Sequence, residues 1–242
     1  MTKLLCIIPF FNEESRFSAI LYDKIFVDNH QVNFLLVDDK SEDNTLQILV
    51  DLKEKYSNVD ILALPSNVGK AEAIRSGILS VDTNLYDFIG FLDADMATPI
   101  SEFMRLFDFI SNNNSISLVM GSRIKLIGNK VNRSLKRHYF GRIFATIISQ
   151  IILKVPVYDT QCGAKIIDAK ISKQLFETPL KTRWLFDVEL LLRLKNKGYN
   201  LQNSVTEIPL NEWTEMGNSK IKFSEILRFP FQLIKIYFHY VK

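Results

Sequence analysis

Two carboxylates separated by one small residue, Asp93-Ala94-Asp95, follow the short apolar run Phe88-Ile89-Gly90-Phe91-Leu92. An apolar run of this length reads as a buried strand. In extended backbone, residues i and i+2 point the same way, so Asp93 and Asp95 converge on one point beyond the strand end. Two anions held that close repel, and burying them is costly unless a cation sits between them. Hard oxygen ligands at an open site suit Mg2+ or Mn2+, which keep waters and bind through one or two carboxylates plus substrate phosphates. The chemistry indicated is a divalent metal holding a diphosphate. Alone, Asp-x-Asp shortly before Pro99 also fits a solvated turn, so the elements around it must decide.

Leu4-Leu5-Cys6-Ile7-Ile8-Pro9 is a continuous apolar run, as expected of a strand covered on both faces of a parallel sheet. Pro9 stops it, and Phe11-Asn12-Glu13-Glu14-Ser15 turns into a helix to about Asp28. Phe34-Leu35-Leu36-Val37 is a second strand ending in Asp38-Asp39. Ser41 is expected to cap the next helix, with Asn44 at the fourth position and the helix running from Thr45 through Tyr56. Asp60 to Leu64 is a third strand, and Asn67-Val68-Gly69-Lys70 opens a helix to about Ser80. Strands alternating with helices mean βαβ units in a doubly wound sheet. Such sheets bind ligands at the carboxyl ends of their strands. Those ends here carry Asn12 and Glu13, Asp38 and Asp39, Asn67 and Lys70, and Asp93 and Asp95. Strand ends are often polar, but seldom with acid pairs at two of four.

The second half is patterned differently. Ile116 to Gly121 reads as a strand. Ser122 to Arg142 then holds Arg123, Lys125, Lys130, Arg133, Lys136, Arg137 and Arg142 with no acidic residue. Such a run is a solvated face or a site for an anion or an anionic membrane. It abuts the apolar Ile143–Leu153, which suits either a core helix or a membrane interface. Asp159-Thr160-Gln161-Cys162-Gly163-Ala164-Lys165 is a polar turn leading into a short strand, Ile166-Ile167. Trp184 to Leu192 opens a helix whose first turn holds Asp187 and Glu189, as helix-dipole partners or, for Asp187, as a base or acceptor-orienting group. Val205 to Leu210 is a late strand, and Trp213 to Lys220 a polar loop. Residues 221–242 form a basic, apolar tail interrupted by Pro230, fit for a membrane surface, its own domain or a second subunit.

The chain of 242 residues is 47% hydrophobic and 24% charged, so it is globular and not disordered. A formal net charge of +3 gives no reason to expect nucleic acid as a partner. Cys6 and Cys162 are far apart and show no metal-ligand spacing, which argues against a disulfide-built secreted chain. Cys6, in an apolar strand, reads as a small hydrophobe. No signal peptide precedes the first strand, and no apolar run reaches the length of a membrane span. The expectation is a cytoplasmic chain, peripheral at the cytoplasmic face of a membrane. No Gly-x-Gly-x-x-Gly follows the first strand, which removes a nicotinamide-dependent dehydrogenase.

Together these residues resemble family 2 glycosyltransferases of the GT-A fold, and within them the dolichyl-phosphate or polyprenyl-phosphate β-glucosyltransferases. The general family pattern lies in Ile8-Pro9-Phe10-Phe11-Asn12-Glu13, in Val37-Asp38-Asp39-Lys40-Ser41-Glu42-Asp43-Asn44-Thr45 and in Asp93-Ala94-Asp95. The subgroup pattern lies in Asn67-Val68-Gly69-Lys70, Gly121-Ser122-Arg123, Asp159-Thr160-Gln161-Cys162-Gly163, Arg183 to Leu190, Trp213-Thr214-Glu215 and Ser219-Lys220. The implied fold is α/β and Rossmann-like, a nucleotide-diphospho-sugar transferase with a mostly parallel central sheet and helices on both faces. The implied division is a GT-A domain over 1–220, with a nucleotide-sugar half at 1–120 and an acceptor half at 121–220, followed by a tail at 221–242.

The resemblance also implies roles. Asp39 would bond the uracil of a UDP-sugar, and the turn holding Pro9, Phe11, Asn12 and Glu13 would hold the nucleoside, with Asp38, Asn67 and Lys70 near the nucleotide. Asp93 and Asp95 would bind Mg2+ or Mn2+, most directly through Asp95. Arg123 and Arg137 would receive the phosphate of a polyprenyl-phosphate acceptor, beside Gln161, Trp184, Ser219 and Lys220. Guanidinium forks do match phosphate oxygens in bidentate fashion. Asp187 would orient acceptor or sugar. The chain departs from the family at Lys40, Ala71-Glu72 and Asn218, where glycines are usual. Some members carry a membrane span before the first strand; without one, anchoring would rest on the basic apolar segments. Two rivals stand beside this reading: a glycan or protein hydroxyl as acceptor, with Asp187 a true base, and a non-catalytic nucleotide-sugar or membrane-binding module.

Overall fold

A computed structural model describes residues 2–132, 135–216 and 223–242, and the side chains of all of these except 135–140 and 223–228. In chain order the elements are β1 (Leu4–Phe10), α1 (Ala19–Asp28), β2 (Val32–Asp38), α2 (Thr45–Lys55), β3 (Val59–Ala63), α3 (Lys70–Ser80), β4 (Phe88–Phe91), α4 (Ile100–Ser111), β5 (Leu118–Ser122), β6 (Lys130–Asn132) and α5 (Leu135–Ile147). A π-helical turn, Ile148–Leu153, follows α5. Then come β7 (Lys165–Asp168), α6 (Ala169–Phe176), α7 (Phe186–Asn196), α8 (Leu201–Ser204), β8 (Val205–Pro209), β9 (Glu212–Thr214), α9 (Phe223–Ile236) and a second π-helical turn, Tyr237–Val241.

The chain forms two compact units. One comprises residues 1–96 and 164–179, the other 97–163 and 180–242. Each unit thus takes a piece of both halves expected at 1–120 and 121–220. In the first unit the strands run in the order β3-β2-β1-β4-β7, with β7 antiparallel to β4 and the rest parallel. The continuous apolar β1 lies between two neighbours, and Leu4 to Ile8 are buried along it. Pro9 pairs with Val37 of β2, beyond the stretch where β1 pairs with β4, so no rung of that ladder loses a donor at Pro9. Register aligns Phe10 with Asp38 and Ile7 with Phe91, which brings the polar carboxyl ends of β1, β2 and β4 to one edge. Helix α3 lies so close to the sheet that a Cβ on Gly77 would stand 3.1 Å from side-chain atoms of Ile7 and Val37.

The second unit contains two parallel pairs, β5 with β8 and β6 with β9. The short strands β6 and β9 have no periodic signal of their own, and β9 lies inside the stretch read from sequence as a polar loop. There Trp213 is buried opposite Val131. The stretch Ile143–Leu153 is α-helical only to Ile147 before the π turn takes over. Helices α4 and α6 went unmarked by the sequence reading. No helix among the described residues is long and apolar enough to cross a membrane.

Candidate functional site

In the first unit, the carboxyl ends of β1, β2 and β4 hold the expected donor residues. Asp39 is buried, and its Oδ1 and Oδ2 accept from the backbone N–H groups of Val68 (2.7 Å) and Gly69 (2.8 Å). Asn67 Nδ2 donates to the Asp39 carbonyl. The Asp39 carboxylate thereby shapes the turn entering α3, where Gly69 adopts φ +85°. Asp38 accepts from the Ser41 backbone N–H. Asn12 accepts from the Glu42 N–H and donates its own N–H to Ser41 Oγ. Ser41 therefore ties β2 to the β1 turn and does not cap α2. Asn44 takes that position without a side-chain cap. Glu13 is buried in a fork with Arg16, at 2.9 and 2.7 Å, and its N–H donates to Thr45 Oγ1.

Asp93 and Asp95 stand just beyond β4, partly exposed and not fully buried. Lys70, the first residue of α3, forms an ion pair with Asp93. Tyr22, fully buried, donates its hydroxyl to the Ala94 carbonyl between the two acids at 2.6 Å. Burial pushes the Tyr22 hydroxyl well above its ordinary range, and the negative charges of Glu13, Asp95 and Asp93 add to the effect. Nothing in the sequence linked Tyr22 to this turn; its neighbours Phe10, Phe17 and Phe26 mark only an aromatic cluster. The pair suits a hard divalent cation in its chemistry. Both ligands are carboxylates, and no group of three or more metal-ligating side chains occurs among the described residues, so phosphate oxygens and water would complete the shell.

In the second unit, three separate sequence motifs meet. Arg123 Nε and Nη2 donate to Asp159 at 2.6 and 2.7 Å, and the Arg123 N–H donates to the same carboxylate. The guanidinium lies 5.4 Å from the centroid of the Trp213 ring. A Cβ on Gly121 would come within 2.8 Å of Leu210 and 3.1 Å of Cys162 Sγ, which explains glycine there. Asp159 and Tyr158 give their backbone N–H groups to Glu207 at 2.6 and 2.8 Å. Burial holds the Glu207 carboxyl above its ordinary value. Gln161 belongs to the same turn, its N–H donating to Asp159. The Arg123 fork, expected to meet a phosphate, is thus directed at Asp159.

Asp187 is buried in the first turn of α7, and Trp184 lies half-buried just ahead of it. Glu189, read from sequence only as a dipole partner, is fully buried and accepts from Lys181, Thr182 and Tyr240. The final helical stretch folds back on its own unit, through Tyr240 to α7 and through Lys235 to the Lys181 carbonyl. It also keeps Phe231, Ile234 and Phe238 exposed, at 73, 53 and 60%. The Arg137 side chain, Ser219 and Lys220 lie outside the described residues.

Comparison with known proteins follows the same lines. The model of glycosyl transferase family 2 matches residues 5–176. A dolichyl-phosphate beta-glucosyltransferase of Trichomonas vaginalis is 32% identical over 95% of this chain and 69% of its own. One of Dictyostelium discoideum is 30% identical over 98% and 75%. Glucosyl-3-phosphoglycerate synthase from Mycobacterium tuberculosis, crystallised with Mn2+, UDP and glucosyl-3-phosphoglycerate, superimposes with a TM-score of 0.70 over 97% of this chain and 78% of that one, at 16% identity. That likeness is one of fold.

Proposed function

The chain belongs to glycosyl transferase family 2 and is a GT-A glycosyltransferase, and from that premise we propose that it moves glucose from UDP-glucose to a polyprenyl phosphate such as dolichyl phosphate, with inversion at the sugar. The observation that carries the reading is the half-exposed pair Asp93 and Asp95 beside Lys70, at the carboxyl edge of a chain whose relatives are named dolichyl-phosphate beta-glucosyltransferases.

In this reading Asp39 and the Pro9–Glu13 turn receive the nucleoside, with Asp38 and Asn67 shaping the walls. Asp39 reaches it while already fixing the Val68–Gly69 amides, since each carboxylate oxygen can accept more than one hydrogen bond. Lys70 and the Asp93/Asp95 pair address the diphosphate. Asp93 and Asp95 would hold a divalent cation, Mg2+ or Mn2+, which would supply positive charge to the departing UDP. The nucleophile is an oxygen of the acceptor phosphate. It forms the new bond to C1 as the C1–O bond to UDP breaks, and UDP departs as the anion. That phosphate is already ionised at neutral pH, so no strong base is required, and the work of the chain is positioning and charge stabilisation. Asp187 and Trp184 orient the acceptor, with Gln161 near its phosphate and Arg123, Arg137, Ser219 and Lys220 supplying polar and positive groups. The chain works at the cytoplasmic face of a membrane, with the outward residues of α9 against lipid.

One observation favours a second reading. The Arg123 fork is turned to Asp159, as it would be if no phosphate were its natural partner, and a hydroxyl acceptor with Asp187 as base then follows. A transfer assay separates the two. Purified protein is incubated with Mg2+ or Mn2+, a panel of radiolabelled UDP-sugars and a short polyprenyl phosphate, and butanol-extractable label is counted. Label from UDP-glucose in the organic phase supports the lipid acceptor. Metal-dependent release of UDP without lipid product would reject it and leave the hydroxyl reading. Asp187→Asn is expected to lower transfer about 100-fold through misplacement of the acceptor while UDP binding holds, and unchanged turnover would remove Asp187 from the site.

A further inference from the structure

Glu189 is a heavily used buried carboxylate that the proposed reaction leaves idle. It is 0% exposed. Its Oε1 accepts from the Thr182 N–H at 2.6 Å and the Thr182 hydroxyl at 2.5 Å, and its Oε2 from the Lys181 N–H at 2.8 Å. Tyr240 donates its hydroxyl to the same Oε2 at 3.1 Å and accepts from Arg193 Nε at 3.1 Å, while Arg193 Nη2 lies 3.8 Å from Glu189. From the other side, Lys235 Nζ donates to the Lys181 carbonyl at 2.9 Å. Asn196 Nδ2 donates to the Tyr240 carbonyl, which fixes the turn carrying that ring. Both backbone groups of Lys181 are therefore held, one by α7 and one by α9.

These bonds are local in effect and distant in origin. Tyr240 reaches Glu189 across 51 residues, and Lys235 reaches Lys181 across 54. The segment they grip runs directly into Arg183, Trp184 and the first turn of α7, where Asp187 sits. A buried carboxylate stripped of its donors is costly, so it holds those donors in one place. From this geometry we infer that Glu189, Tyr240 and Lys235 form a latch by which the final helical stretch sets the shape of the 181–187 segment, making Tyr240 and Glu189 positioning residues for the acceptor. The inference rests on the acceptor reading above for what the segment touches. Burial also raises the Tyr240 hydroxyl above its ordinary range, so the phenol stays a donor at neutral pH.

The test compares wild type, Tyr240→Phe and Lys235→Met in steady-state transfer from UDP-glucose to a short polyprenyl phosphate, with amide exchange followed at Lys181 and Thr182. Lys235 is exposed, so its variant folds even if the ring substitution does not. Tyr240→Phe is expected to raise the acceptor KM about 5- to 10-fold, the worth of one ordinary intramolecular hydrogen bond. The KM for UDP-glucose stays in place, and exchange quickens at the two amides but not along β1. Lys235→Met is expected to move the same constants in the same direction by less. A wild type that transfers nothing to the lipid would overturn the acceptor reading and this proposal together. An active wild type whose variants keep both Michaelis constants and slow exchange at Lys181 and Thr182 would overturn the latch alone.

Discussion

The two units treat negative charge in opposite ways. In the first, Asp38 and Asp39 are buried but the acid pair beyond β4 remains within reach of solvent: the Asp93 side chain is 35% exposed, and its partner Lys70 30%. In the second, Asp159, Glu207 and Glu189 are closed by the chain itself. The Asp159 side chain is 8% exposed against the Arg123 fork, Glu207 is spent on the Tyr158 and Asp159 amides, and Glu189 is sealed completely. Charge left accessible can exchange a lysine for a cation and a diphosphate. Charge neutralised internally serves to hold backbone. The Asp93/Asp95 pair of the first unit is thus placed to receive charge, and Asp159, Glu207 and Glu189 of the second to keep a shape.

The most severe break of that contrast is Asp95→Asn. If the first unit works by accepting an external cation, the loss of one carboxylate should lower transfer about 100- to 1,000-fold, the range seen when one electrostatic stabiliser is removed. Thermal stability should barely move, since a half-exposed acid contributes little to folding. Transfer rates in a Mg2+ or Mn2+ titration check this, and wild-type turnover indifferent to both metals would undo the assignment.

The complementary break is Asp159→Asn. Removing one member of a buried pair leaves the other uncompensated, at about 3–5 kcal/mol for full burial. Arg123 retains some exposure and its contact with Trp213, so about 2–3 kcal/mol is expected. Denaturant unfolding measures it. A change below about 0.5 kcal/mol would mean that the second unit does not depend on its closed charges.

How much of this was readable beforehand follows the same contrast. Asp38, Asp39, Asp93 and Asp95 announce themselves because apolar strands end on them, and short-range periodicity is what a sequence shows directly. The partners of the second unit span long separations, 36 residues for Arg123 with Asp159 and 51 for Tyr240 with Glu189. Nothing local in Glu189 distinguishes a dipole partner from a sealed acceptor. Ser41 failed as a cap because Asn12, 29 residues earlier, claims its hydroxyl. The strands β6 and β9 are too short to show alternation, and Trp213 inside one of them read as loop.

Glu207 sharpens the comparison through pH. Burial raises its folded pKa above the ordinary 4.5, although the Tyr158 and Asp159 amides pull it down. An acid whose folded pKa is raised binds its proton more tightly when folded. Its contribution is therefore complete below the unfolded value and is lost as pH rises through the folded one. The stability difference between wild type and Glu207→Gln should narrow as pH climbs from about 4 toward 7. The variant itself is expected to be less stable, because an amide nitrogen would face one of two backbone donors. Thermal melts across that range report the trend. A difference that widened with pH would show that the amides outweigh burial.

The smallest effect concerns Lys40, between the Asp38-Asp39 pair and Ser41. Lys40 adopts φ +59°, the left-handed region that costs a side-chain-bearing residue about 1–2 kcal/mol. Glycine removes that strain but loosens the unfolded chain, which takes back up to about 1 kcal/mol. The side chain is exposed, so little packing is lost. Lys40→Gly should therefore raise stability by about 0.5 kcal/mol, with UDP affinity preserved because Asp38 and Asp39 keep their own bonds to Ser41, Val68 and Gly69. Denaturation and calorimetric titration with UDP distinguish the outcomes. A variant as stable as expected but tenfold weaker for UDP would place the Lys40 ammonium on the nucleotide, and the open charge of the first unit would then include a cation of its own.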